Sequence, residues 1–451
     1  MKKKARTEQL LVEKISDVYL TLMLSVFLLW PGTAGYTAIT AAKYRLFLIL
    51  TLAYCAGLLL LYLELLAAQQ LRLHPVKAFL RGVRLPEWLM TGYMLCSLIA
   101  TILSPWRADA WLGLTRREGF LTLALYAAAF VLLGRLARPK KWLLDVFAAA
   151  MSVNCLLALW QLLGGNPLHL YPAGLTYYDA GSAYSGMYLG TIGNTDLLAA
   201  VFCVAVPTFF YGAWKLRRYW LLGPAVLCMA VTVWMDVSAG LLGIAAGIIL
   251  PIPLALRGKA RCAAAIAIGA AFLAGVIAVF FLPGLPGIFG QAHALLHGQA
   301  DDTFGSGRIY IWKNVWQAVK ARPFFGGGPD TLSRRITAYF ERYDEAHGRM
   351  IQTGIDAAHN EYLNILANQG VFALLFWLGT LICSAVRFVC RGGQEMHVLI
   401  CGSAVLGYCV QAFFGISMCI SAPFFVLAWA LLENRTTADA LHCNSKQIKK
   451  N

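Results

Sequence analysis

Cys262-Ala-Ala-Ala-Ile-Ala-Ile-Gly-Ala-Ala-Phe-Leu-Ala-Gly-Val-Ile-Ala-Val-Phe-Phe-Leu-Pro283 is a run without a single charged residue. As a helix rising 1.5 Å per residue it spans about 30 Å, the thickness of a bilayer's hydrocarbon core. Working outward from it, similar apolar runs fall near 16–34, 45–68, 87–104, 119–136, 142–163, 195–213, 219–236, 239–256, 370–389, 396–416 and 419–433. Composition agrees. Of 451 residues, 59% are hydrophobic and 13% charged, against about 45–50% and 25% in a soluble domain. A soluble enzyme, a disordered chain and a fibrous protein are excluded. The sequence predicts an all-α integral membrane protein of about 12 transmembrane helices.

The net charge of +16 reads as loop charge rather than as a nucleic-acid surface, because membrane proteins gather Lys and Arg in cytoplasmic connections. The basic residues cluster in alternate connections. They are Lys2 to Lys4 and Arg6, then Arg72, Lys77, Arg81 and Arg84, then Arg135, Arg138, Lys140 and Lys141. Further on come Lys215, Arg217 and Arg218, then Arg257, Lys259 and Arg261, then Arg387 and Arg391, and finally Lys446, Lys449 and Lys450. Twelve spans put all of these on one side. The expectation is a multi-pass protein of the cell (cytoplasmic) membrane with both termini cytoplasmic. The first run lacks a cleavage site and is followed at once by a second, so it is read as a span rather than a signal peptide. The twelve cysteines lie mostly inside apolar runs without CxxC pairs, so they are read as small hydrophobes.

The domain reading follows: an N-terminal membrane bundle over 1–283, an extracytoplasmic loop over 284–369 between spans 9 and 10, C-terminal spans over 370–433, and a cytoplasmic tail over 434–451. The long loop has mixed charge, aromatic residues and a glycine-rich turn, which predicts order. Phe304-Gly-Ser-Gly-Arg308 leads into an amphipathic helix with Ser306 as its N-cap and Ile309, Trp312, Trp316 and Val319 as its apolar face. Phe324-Phe-Gly-Gly-Gly-Pro-Asp330 makes a tight turn. Asp356-Ala-Ala-His359-Asn360 opens the tenth span. Two further segments lie on the same predicted side. Ser104 to Gly119 carries Arg107, Arg116 and Arg117 against the positive-inside bias. Gly190-Thr-Ile-Gly-Asn194-Thr195-Asp196 turns into the sixth span, with Asn194 or Thr195 as cap. Ionisable residues inside spans are few. His293 and His297 have the four-residue spacing of zinc ligands on a helix, but no third ligand follows at metal spacing, so no metal site is expected.

Taken together, Arg116-Arg-Glu-Gly119, Gly190-Thr-Ile-Gly-Asn194, Gly307-Arg308 with Trp312, Pro323…Gly326-Gly-Gly328 and His359-Asn360…Gly370 resemble the O-antigen ligase and O-antigen polymerase superfamily. The resemblance covers about 104–390. It implies transfer of a glycan from an undecaprenyl-diphosphate carrier to an acceptor hydroxyl on the outer face of the membrane, without nucleotide-sugar, metal or other cofactor. The acceptor would be a glycan, a lipid or a protein. By the same resemblance His359 and Asn360 are catalytic and outer-face arginines hold the diphosphate. Two positions depart from the family pattern: Ser238-Ala239-Gly240 where many relatives have Ser-Arg-Gly, and Ala373 after the motif glycine.

The residue chemistry leads the same way. A diphosphate leaving group develops negative charge, and arginine forks match phosphate oxygens. Arg308 and Arg116 are the first candidates, with Arg117, Arg334 and Arg335 in reserve. Histidine is the natural base near neutral pH, and Asp356 is placed to orient His359 as the third group of a base-activating set. A repeat-unit polymerase uses the same donor and remains open beside a ligase. A transporter or flippase predicts charges in mid-span, and few exist. A membrane scaffold would not need this arginine and histidine cluster.

Overall fold

The computed structural model describes residues 2–67, 82–180, 184, 186–285, 287–299, 302, 304–344 and 349–435. The basic segments around Arg72, Lys77, Arg81 and Lys446–Lys450 lie outside the described residues, as do Cys443, Asp301 and Glu345.

The chain is built of helices. In order they are α1 Lys2–Leu22, α2 Ile39–Ala67, α3 Leu85–Leu103, α4 Arg107–Leu112, α5 Phe120–Leu136, α6 Lys141–Leu162, α7 Thr195–Leu216 and α8 Leu222–Met235. Then come α9 Ser238–Ile249, α10 Ile252–Ala255, α11 Gly258–Phe281, α12 Gly287–Leu296, α13 Phe304–Ala321, α14 Glu361–Arg391, α15 Met396–Ala412 and α16 Ala422–Leu432. A π-helical turn, Met23–Phe27, continues α1. Among the described residues there are also two small antiparallel pairs: β1 Tyr188–Leu189 with β2 Gly193–Asn194, and β3 Tyr339–Asp344 with β4 Arg349–Gly354.

All twelve apolar runs lie on helices, but the expected count of crossings is not reproduced. Among the described residues seven helices are long and apolar enough to cross a membrane. Phe120–Leu136, Tyr219–Met235, Met396–Ala412 and Ala422–Leu432 are apolar but shorter. The physical difference is that a hydropathy run continues through turns. The run at 419–433 contains a helix of 11 residues, about 16 Å at 1.5 Å per residue, half the hydrocarbon thickness. The first run sits on a helix whose opening turns are polar and charged.

α7 is the centre of the bundle, buried on nearly all sides against α6, α8, α9, α15 and α16. Its sequence is apolar all round, as a fully enclosed helix requires. α11, the stretch quoted first, buries nothing within the chain. Antiparallel alternation then gathers the described basic connections at one end. There Arg84 and Arg135 clamp Glu87, Arg138 pairs with Glu13, and Lys140 pairs with Asp17.

The described residues between 284 and 369 form α12, α13, β3, β4 and the start of α14, and their details differ from the sequence expectation. α13 begins at Phe304, so Ser306 lies inside the first turn instead of capping it. Its buried stripe is Ile311, Val315 and Val319, packed on Leu332, Ile355, Ala358 and Ala367, while Trp316 is exposed. The partner surface selected a ridge of strict four-residue steps that the sequence pattern alone did not single out.

α14 begins nine residues before the expected span and passes through a break at Gly370, which has φ +86°. At the break, hydrogen bonds are exchanged with the glycine turn. Gly327 N–H donates to Ala367 O (3.2 Å), Gly328 N–H to Asn368 O (2.9 Å), and Val371 N–H to Pro323 O (2.9 Å). Carbonyls that lose their helical partners are thus paired, as buried backbone groups must be. A Cβ on Gly370 would lie 2.1 Å from Phe324 O. Gly370→Ala should therefore destabilise the fold by about 2–3 kcal/mol. Thermal unfolding of the detergent-purified protein, followed by tryptophan fluorescence, checks this; an unchanged midpoint would remove the break from the fold's requirements.

Candidate functional site

The turn after α4 holds Leu114 to Gly119 and has too few residues to satisfy its own amides. Asp330 does so from the glycine turn. Its Oδ2 accepts from the backbone N–H of Leu114 (2.6 Å), Arg116 (3.2 Å) and Glu118 (3.4 Å). Asp330 is buried, and burial pushes its carboxyl up to about 6, opposed by Arg116 and these amides. Sequence reading quoted Asp330 only as the end of a turn. No local signal says that its carboxylate would seat a segment some 210 positions earlier.

So held, Arg116 reaches across to Asp356, Nη2 to Oδ1 at 2.6 Å. Thr115 Oγ1 makes a longer contact, 3.4 Å, to Asp356 Oδ2. Asp356 is 32% exposed and Arg116 12%, so the pair lies at an opening rather than in the core. Burial raises the Asp356 carboxyl, but Arg116 outweighs it and holds Asp356 below its ordinary value. Arg116 Nε is buried without a hydrogen-bond partner among the described residues, and an unmet buried donor costs about 1–3 kcal/mol.

His359 sits one turn past Asp356, half-buried, in a left-handed conformation (φ +46°). Its position is fixed from both sides. Trp312 Nε1 donates to Ala358 O at 2.9 Å, and Asn360 Oδ1 caps α14 by accepting from Leu363 N–H at 3.0 Å. Asn360 is therefore engaged as the helix cap. Asp356 is engaged with Arg116 rather than orienting the imidazole, and His359 makes no hydrogen bond among the described residues. Burial first, then Arg116 and Arg308, push His359 down to about 4, with Asp356 opposing. The imidazole is neutral at pH 7 and carries a lone pair. Among the described residues, three of the six non-glycine residues with positive φ are Arg117, Asp330 and His359, and such backbone strain concentrates at functional sites.

Arg308 comes from the second turn of α13 to the same place. Its Nε and Nη2 donate to Phe414 O (3.0 and 2.8 Å) and its Nη1 to Gly305 O (2.5 Å). Burial lowers its pKa, with the Asp196 carboxylate opposing. Asp196 stands in the first turn of α7, whose cap is Asn194, as expected: Oδ1 accepts from Asp196 N–H (3.0 Å) and Leu197 N–H (3.4 Å). The structure thus brings Arg116, Arg308, Asp356 and His359 together and adds Asp196.

The three reserve arginines point elsewhere. Arg117 lies over the Tyr44 ring at 5.9 Å. Arg334 is half-exposed and pairs with Asp109 at 3.0 Å. Arg335 braces the α14 break through Ala367 O (2.9 Å) and Asn368 Oδ1 (2.5 Å). Beneath Arg116, a cavity of about 50 Å³ is lined by Glu118, Glu361, Tyr93, Tyr126, Tyr408 and Ser417. Tyr126 O–H donates to Glu118 Oε1 at 2.7 Å, and burial pushes the Glu118 carboxyl well up. The His293 and His297 rings lie tilted against each other, centroids 4.2 Å apart, and Nδ1 of each meets a backbone carbonyl. No group of three metal-ligating side chains occurs among the described residues.

Asp330→Ala should release the turn that carries Arg116. Hydrogen exchange at the amides of Leu114, Arg116 and Glu118 should quicken by about tenfold or more. Asp330→Asn keeps an acceptor oxygen and should retain most of the protection. Equal exchange in wild type and Asp330→Ala would show that the carboxylate does not hold the turn.

No curated protein matches the chain. The family model described as O-antigen ligase matches residues 224–378. That span includes Arg308, Arg334, Arg335, Asp356, His359 and Asn360, and leaves Arg116 and Arg117 outside it. Residues 224–378 are thus similar to an O-antigen ligase domain, consistent with the O-antigen ligase and polymerase superfamily, and they belong to a chain with seven described helices long and apolar enough to cross a membrane.

Proposed function

We propose that the protein transfers a glycan from an undecaprenyl-diphosphate carrier to an acceptor hydroxyl at the outer face of the cytoplasmic membrane. The observation that carries the reading is the meeting of Arg116, Arg308 and a neutral His359 at one opening, with Arg116 Nε unpartnered among the described residues. The donor diphosphate would lie against the two arginines. The acceptor oxygen would attack the anomeric carbon while His359 takes its proton, and the bond from that carbon to the diphosphate would break, leaving the electron pair on phosphate oxygen. Asp356 and Asp196 would keep the arginines aligned before the donor arrives. Arg117, Arg334 and Arg335 have supporting roles in this reading. The end of the bundle holding Asp330 and Asp356 would face outward, and the basic connections the cytoplasm.

The electrostatics couple donor to base. Arg116 and Arg308 depress His359, so a diphosphate that neutralises them would raise its basicity toward the useful range. The acid limb of kcat/KM, which reports free enzyme, should lie below the ordinary histidine value near 6.5. The acid limb of kcat, which reports the substrate complex, should lie at higher pH. Coincident limbs near 6.5 would contradict this coupling.

Substitution separates the roles. His359→Ala should lose about 10²–10⁴ in rate with donor binding retained, and His359→Asn should not restore transfer. Arg116→Ala and Arg308→Ala should each cost about ten- to a hundredfold, as a charge-assisted contact of 1.5–3 kcal/mol implies. Arg→Lys should recover part, because lysine lacks the planar fork. The assay is transfer from purified lipid-linked oligosaccharide to a lipid, a protein or a second lipid-linked glycan. The last product would mark a polymerase. Wild-type transfer by His359→Asn would remove the histidine from the reaction.

Sidedness has its own check. In a cysteine-free background, single cysteines within 287–296 should react with an impermeant maleimide from outside the cell, and one at Arg217 only after lysis. The reverse pattern would overturn the orientation.

A further inference from the structure

A cavity of about 500 Å³ opens at the other end of the bundle, among the first helix, α6, α7, α15 and α16. Its mouth lies at the end of the bundle that holds the Lys140–Asp17 pair, and its walls run along α16 as far as Phe424. Its walls are apolar: Leu24, Phe147, Val204, Ile400, Phe424 and Leu427. Its mouth is polar, formed by Lys140, Lys141, Glu395 and His397.

The mouth carries a surplus of positive charge. Glu395 is met by Arg387 (3.2 Å) and His397 (3.6 Å), and Lys140 is paired with Asp17. Lys141 has no ion pair among the described residues and is exposed. Two helices also begin there, α6 at Lys141 and α15 at Met396, and neither has a side-chain cap. Their first amides and positive dipole ends add to the field at the opening.

We propose that this cavity is a binding site for an anionic phospholipid, one acyl chain within the apolar walls and the phosphate against Lys141, Lys140 and the two helix starts. The volume falls in the range of small-molecule sites, about 300–1,000 Å³. Apolar walls offer water no partners, which excludes a polar metabolite and favours a hydrocarbon chain. The charge at the mouth selects a negative headgroup over a zwitterionic one, as basic pockets between membrane helices do. The site is independent of the glycan-transfer reading, since it shares no residue with that cluster.

The test uses the full chain in phosphatidylcholine nanodiscs containing a trace of phosphatidylglycerol with a photoreactive acyl chain. Crosslinked peptides are mapped by mass spectrometry. Adducts should concentrate on 143–147, 396–401 and 424–431, and a phosphatidylcholine probe with the same chain should give several-fold fewer. Lys141→Gln should lower phosphatidylglycerol adducts there by about fivefold, the effect of one lysine at a membrane surface. Ala428→Trp, which fills the cavity wall, should abolish them. If that variant does not fold, the exposed Lys141 position decides alone. Adducts no denser in the cavity than on lipid-facing α11, equal labelling by the two probes, or indifference to Lys141→Gln would each overturn the proposal.

Discussion

A helix broken inside a bundle leaves carbonyls without donors, and in an apolar surrounding each must find another. That constraint at Gly370 organises this protein. The turn at 323–328 supplies the missing N–H groups to Ala367 and Asn368, and Pro323 O receives the displaced N–H of Val371. Arg335 closes the same joint from the side. The turn is thereby locked to the helix, which fixes Asp330 two residues beyond it, and Asp330 in turn seats the loop bearing Arg116. A single backbone irregularity sets the geometry between residues more than two hundred positions apart. Such joints also explain the glycines, since the approach of backbone to backbone leaves no space for a Cβ.

Charge placement follows a second rule. Ionised groups in a low-dielectric bundle persist only where they are paired or reach an opening. One end of the molecule holds tight structural pairs, Glu87 between two arginines and Asp17 with Lys140, although Asp17 Oδ1 is buried there without a hydrogen-bond partner among the described residues. At the other end, among the described residues, a buried Arg116 Nε lacks a partner and a half-buried His359 makes no hydrogen bond. A cluster whose electrostatics are incomplete is suited to an anionic ligand, because the ligand supplies what the protein withholds. The surrounding carboxylates, Asp196 and Asp356, keep the arginines from repelling one another in its absence.

The long segment between α11 and α14 shows where pattern reading succeeds and where it stops. Its helix around Arg308 and its turn at the triple glycine were legible, because they depend on amphipathic period and turn chemistry. The buried ridge of α13 was not, because Ile311, Val315 and Val319 face inward only in the presence of Ile355 and Ala358. Asn360 was read as part of the reaction, yet its side chain caps α14. Asp356 was read as the partner of His359, yet it pairs with Arg116.

Sequence by itself determined the class of the molecule, since apolar run length and charge scarcity depend only on local composition and the bilayer's thickness. It also offered a short list of polar residues, because arginines placed against the positive-inside bias and a histidine at the mouth of a span stand out. Tertiary structure alone decided which of the five arginines share an opening with His359, which helices are short, and that Asp330 and Asp196 belong with the cluster. Those are questions of distance between segments far apart in the chain. They are answered by helix packing and by where broken backbone hydrogen bonds are remade, neither of which leaves a local mark.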